Sequence, residues 1–144
     1  MTIALRNRQR AVRLKTRWLK GLAELAHRRC CEVPGSGPLG HLQEISVAIV
    51  SDLSIARLHS QFMRITGPTD VLTFDHGEIV ISAETAAAHA RRLSQPVELE
   101  IALYTVHGLL HLNGYDDRTP RDAMRMRRMQ TRILRWCQSQ LPPP

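Results

Sequence analysis

Two histidines four residues apart, His107 and His111, are the side chains of this sequence best placed to do chemistry. On a helix of 3.6 residues per turn that spacing puts both on one face, so two imidazoles can reach one point in space. Gly114 follows, where a glycine can end a helix at positive φ and turn the chain back. Asp116 and Asp117 come next. The run reads H-x-x-x-H-x-x-G-x-x-D, two imidazoles from a helix and a carboxylate from the returning chain. Three protein ligands with a fourth position left to water make a catalytic zinc site, whereas structural zinc is usually closed by four. Asp116 competes with Asp117 for the third place. Asp117 is preferred because one more residue after the turn gives the chain more room to return.

Zinc held by two neutral imidazoles and one carboxylate keeps net positive charge, polarises an oxygen and lowers the pKa of its water to about 7. Hydrolysis is therefore the expected reaction class. Metzincin peptidases share the ligand spacing but need Glu directly after the first His as base, and Gly108 stands there. A third reading is a ribosome- or RNA-binding protein in which zinc is structural and nothing is cleaved. The open, three-ligand site speaks against it.

These residues need a rigid carrier. After Pro96 a helix is expected through Leu99, Ala102, Leu103, Val106, Leu109 and Leu110, apolar nearly all round and hence buried. Before it, residues 2–5 suggest a strand. Residues 8–29 suggest a basic amphipathic helix, with Ala11, Leu14, Trp18, Leu22, Leu25 and Ala26 at spacings of three and four. Residues 33–40 form a turn-rich loop. The β-branched run 45–50 predicts a buried strand, and Asp52 a cap for a helix through Phe62 that Gly67-Pro68 ends. Two β-rich runs, 68–75 and 78–82, joined at His76-Gly77, predict an antiparallel pair with His76 in solvent, a role at the metal being its alternative. Ser82 can cap a helix over 83–93. A last helix starts at Pro120, with Met124, Met129, Ile133, Leu134 and Trp136 towards the core and six arginines extending the basic surface; residues 141–144 are expected to fray.

A length of 144 residues fits one domain, 1–144, able to bury a core without disulfides. Twenty Lys and Arg against 13 Asp and Glu give a net charge of +7, which favours a polyanionic partner, most simply nucleic acid; a merely soluble basic protein is the alternative. Aromatic residues make up 4%, so few rings are available to stack bases, and recognition is expected to rest on charge and shape. Cys30, Cys31 and Cys137 form no C-x-x-C pair, which suggests reduced thiols. Residues 1–10 carry three arginines and no apolar h-region, and no run approaches the roughly 18 apolar residues of a membrane span. A soluble, cytoplasmic protein is expected.

Three stretches stand out: Pro68-Thr69-Asp70-Val71-Leu72-Thr73-Phe74, Gly77-Glu78-Ile79-Val80-Ile81-Ser82, and His107 to Asp117, the last of the form H-G-x-L-H-L-x-G-Y-D-D. Together they resemble the YbeY family of bacterial rRNA-maturation endoribonucleases, whose last motif is H-G-x-L-H-L-x-G-Y-D-H. The resemblance implies an α/β (α+β type) single domain, a small mixed four-stranded sheet with about five helices packed around one zinc ion. It implies zinc-dependent, single-strand-specific endoribonuclease activity in 16S rRNA 3′-end maturation and ribosome quality control. Implied partners are RNA of the small ribosomal subunit and a ribosomal protein, with no membrane. It assigns the third ligand to Asp117, where the usual motif has His. An anionic ligand in place of a neutral one makes zinc a weaker Lewis acid, so a higher pH optimum is expected than in an Asp117→His variant. The family's N-x-x-[YF]-R segment aligns back from Thr69 onto His59, Phe62 and Met63, leaving Arg64 one place late. Arg64 is then either the substitute that meets RNA phosphate or a solvated helix-end residue.

Overall fold

The computed structural model describes residues 2–63 and 70–144, with the side chains of 62 and 63 excepted. Four strands, β1 (Thr2–Asn7), β2 (Glu44–Val50), β3 (Val71–Phe74) and β4 (Glu78–Ser82), form one sheet in the order β1-β2-β4-β3. The first three neighbours run parallel and β3 pairs antiparallel with β4, so the sheet is mixed. Helix α1 (Thr16–Glu32) makes the parallel crossover from β1 to β2. The β-branched run in β2 reads as continuous because both its faces are covered. Ile45, Val47 and Ile49 join the main core, while Ala48 and Val50 join a smaller one with Ile55 of α2 (Asp52–Met63), Leu72 and Val80.

Helices α3 (Ala83–Arg92), α4 (Val97–Leu112) and α5 (Pro120–Gln140) share the main core with α1. The apolar α4 lies in its middle, touching α1, α3, α5, β3 and β4. Gly108 makes one of these contacts possible: a Cβ there would stand 2.8 Å from Ile79 Cγ2. Among the described residues, the α/β architecture with a mixed four-stranded sheet and five α-helices is the one expected. Among the described residues no helix is long and apolar enough to cross a membrane.

Local departures have identifiable causes. The helix expected from residue 8 starts at Thr16, because Gln9 closes a turn instead: its Nε2 donates to Asn7 Oδ1 and Val12 O, and its Oε1 accepts from Val12 N at 2.8 Å. Lys15 N then donates to the buried Glu98 of α4 at 2.9 Å. The cap expected at Asp52 falls one residue earlier, where Ser51 Oγ accepts from Ser54 N. Asp52 instead accepts from the hydroxyls of Ser82 and Thr85, tying α2 to α3. Met124 is 51% exposed, not core-facing. The inner stripe of α5 runs through Met126, Ile133 and Cys137, and two residues back from Met126 is about 200° round the helix. The tail is held at its start, since Trp18 Nε1 donates to Pro142 O at 2.7 Å. The end of the helix expected at Gly67-Pro68 lies outside the described residues.

Candidate metal centre

His107 and His111 stand one turn apart near the end of α4, and the turn that follows returns Asp117 to them. Gly114 makes that turn at φ +99°, a conformation that penalises any Cβ. Its N–H donates to His111 O, and Tyr115 N–H donates to Leu110 O, both at 3.0 Å. A second loop supports the turn from outside. A Cβ on Gly35 would stand 2.1 Å from Asn113 O, and one on Gly37 2.2 Å from Leu112 O. Asn113 Nδ2 donates to Val33 O at 3.0 Å. The turn-rich stretch 33–40 is thus packed against the end of the helix that carries both histidines.

The outer nitrogens of both rings are engaged. His111 Nδ1 donates to Tyr115 O and His107 Nδ1 to Gln130 Oε1, each at 2.9 Å. Carbonyl oxygens only accept, so each ring carries a proton on Nδ1 and, when neutral, offers a lone pair at Nε2. Those two Nε2 atoms face each other at 3.0 Å. A contact that short is held either by a proton shared between the two nitrogens or by a metal ion lying between them. Tetrahedral zinc at about 2.0–2.1 Å from each nitrogen would set them roughly 3.3 Å apart, close to the observed spacing. Burial, reinforced by His107, holds the His111 imidazole below its ordinary pKa and favours the neutral, donor form.

Ligand atoms of His107, His111 and Asp117 all lie within 4.8 Å of one another, the one such group found among the described residues. Asp116 has another partner: its Oδ1 accepts from Arg118 N at 3.2 Å. Donor types, protonation and spacing therefore fit a divalent metal ion. Beside the histidines lies a cleft lined by Leu72, Thr73, Asp75, Tyr115 and Arg118. The Thr73 hydroxyl is the one buried side-chain polar group without a hydrogen-bond partner among the described residues. Gly108, at the position of a metzincin base, is packed on Ile79 of β4, so that place belongs to the core and leaves no room for a carboxylate.

The structure brings three of the expected residues together. His76 is not among them: its side chain is 71% exposed, stacked on Phe74 and 4.0 Å from Glu78. Arg64 lies outside the described residues. Gln130 was not evident from spacing motifs. The available signal was an amide on the otherwise apolar inner stripe of α5, between Met126 and Ile133.

Known proteins with similar sequences extend this picture. A family model described as Endoribonuclease YbeY matches residues 4–138. Proteins named Endoribonuclease YbeY include one from Anaeromyxobacter, 36% identical over 140 residues (90% of this chain, 66% of the relative), and one from Heliobacterium modesticaldum, 33% identical over 147 residues (88% and 87%). A relative from Myxococcus xanthus is 36% identical over 104 residues, and there the match spans 63% of this chain but only 35% of the relative. A solution structure of a Thermotoga maritima protein superposes with a TM-score of 0.68 at 25% identity, covering 96% of this chain and 90% of that one. With the family match running through nearly every element that builds the site, the chain belongs to the YbeY endoribonuclease family.

Proposed function

We propose that this protein is a zinc-dependent endoribonuclease that cuts single-stranded RNA, with His107, His111 and Asp117 holding the ion. The observation that carries the reading is the pair of Nε2 atoms 3.0 Å apart, each ring held in place by an acceptor at its own Nδ1 and turned towards the other. When bound, the ion would polarise phosphate oxygens and make water available as hydroxide near neutral pH. Tyr115 and Gln130 orient the two rings. Asp117, which is exposed, supplies the anionic donor. Arg118 lines that cleft and offers positive charge to phosphate. Arg64 is a further candidate for phosphate contact, from the sequence pattern alone. Small-subunit rRNA as substrate, action in its 3′-end maturation and a cytoplasmic setting follow from the family reading.

Metal analysis with ligand variants tests the centre. Stoichiometric zinc is expected in the wild type and in Asp116→Ala, and its loss in His107→Ala and Asp117→Ala. Cleavage of single-stranded RNA tests the activity: wild type and His111→Ala cutting at the same rate would refute an enzymatic role and leave a binding protein.

A further inference from the structure

Helix α5 holds six arginines and one carboxylate, Asp122, so it alone carries +5 of the chain's +7. Five of the arginines, Arg121, Arg125, Arg128, Arg132 and Arg135, recur at alternating steps of four and three, which places them in one stripe along the helix. At 1.5 Å per residue the stripe is about 21 Å long. All five are exposed, and among the described residues none has a carboxylate within ion-pair distance. Acidic residues three or four positions away would stabilise such cations on a helix surface, and on α5 this stripe has Asp122 alone so placed.

The stripe is also joined to the histidine cleft. Gly114, Tyr115 and Asp116 line both that cleft and a second depression next to it, and Asp122 and Arg125 line both the second depression and a groove along α5. Arg125 marks the junction, its guanidinium 5.0 Å from the centre of the Tyr115 ring. From there the groove continues past Met124, Arg128, Met129 and Arg132. A second basic run, from Arg6 to Lys20, has seven cations and no acid, yet it lines none of these three connected depressions.

We infer that the arginine stripe of α5 is the track on which single-stranded RNA lies as it leaves the cleft, its phosphates on Arg121, Arg128 and Arg132. This deepens the proposed function and rests on it for the identity of the polyanion. Charge complementarity sets the occupant, and the exposed methionine between arginines offers apolar surface to bases without selecting among them.

The test is the salt dependence of binding, measured by fluorescence anisotropy with a labelled single-stranded RNA homopolymer and the full chain carrying His111→Ala to prevent cleavage. Arg121→Gln/Arg128→Gln/Arg132→Gln is expected to make the slope of log K against log salt shallower by about 2, at roughly 0.7 for each phosphate no longer neutralised. Arg→Lys at the same three positions is expected to keep most of the slope, which separates loss of charge from loss of fold. Arg8→Gln/Arg10→Gln/Arg13→Gln is the control and is expected to change the slope little. An unchanged slope in the α5 glutamine variant, an equal loss in the control, or no salt-dependent binding by the parent would overturn the inference. Should the predicted slopes appear while zinc-loaded wild type fails to cleave RNA, the track stands and the proposed activity falls.

Discussion

The single hydrogen bond from His107 to Gln130 predicts a measurable loss of metal affinity. Gln130 Oε1 accepts from His107 Nδ1 at 2.9 Å, and in the neutral ring this bond keeps the proton off Nε2, the atom that faces His111. In Gln130→Leu the ring can place its proton on either nitrogen, and its Nδ1–H has no acceptor when Nε2 is engaged. A net hydrogen bond contributes about 0.5–1.5 kcal/mol, and 1.4 kcal/mol is about a factor of ten, so zinc affinity should fall by about tenfold. Outer partners of metal-bound histidines cost about 10–100-fold when removed, a range that begins at the same value. Competition against a chromophoric chelator measures it directly. Gln130→Glu, which keeps an acceptor at the same place, should match or exceed wild-type affinity. An unchanged zinc Kd in a folded Gln130→Leu protein would refute the argument that this bond fixes the ring, and with it the assignment of both lone pairs to the centre.

Three other perturbations test the surroundings. Gly108→Ala places a Cβ 2.8–3.0 Å from three atoms of Ile79 and should lower stability in urea by about 1–3 kcal/mol, with part of the loss recovered when Ile79→Val is added; additive effects would contradict direct overpacking. Cys31 is exposed, whereas Cys30 and Cys137 are buried and burial pushes the Cys137 thiol up to about 11, so Ellman's reagent should count one thiol in the native protein and three after unfolding. Burial holds the His27 imidazole below 6.5, so between that lowered value and 6.5 the unfolded chain binds more protons and stability rises with pH. The contribution is complete above pH 6.5 and is lost as the pH falls below it. In zinc-loaded protein His27→Gln should therefore flatten the stability profile between pH 7 and 5, and identical profiles would count against it.

The sequence was most legible where one physical signal dominated. The apolarity of α4, the β-branched run of β2 and the Pro120 start of α5 each report burial or backbone restriction directly, and each element lies where it was expected. Histidine spacing and the positive φ of Gly114 were equally direct. Legibility failed where a side chain competes with the backbone. Residues 8–15 have helical periodicity, but the amide of Gln9 satisfies the local donors and acceptors first. Nor can periodicity count which of several methionines faces inward when Met124, Met126 and Met129 lie within six residues; only the neighbouring helices decide that. The support that residues 33–37 give to the end of α4 was hidden for another reason. A glycine in a turn and a glycine under a carbonyl look alike in sequence, and the close approaches of Gly35 and Gly37 to Asn113 and Leu112 exist only in three dimensions.

Helix α5 has two duties that its two faces keep apart. Its inner stripe is packed into the core through Met126, Ile133 and Cys137, and within that stripe Gln130 reaches His107. Its outer stripe carries arginines whose charge no carboxylate within ion-pair distance balances among the described residues. A change on the inner face must therefore act on the imidazole and on folding, while a change at Arg121, Arg128 or Arg132 on the outer face acts on the electrostatic field over the surface. Metal affinity and RNA affinity should in consequence be separable within one helix: Gln130→Leu weakens the first at constant salt slope, and the arginine substitutions weaken the second at constant zinc Kd. A basic surface that merely kept the protein soluble would have no reason to pass through Arg125, where α5 meets the ring of the residue whose carbonyl orients His111.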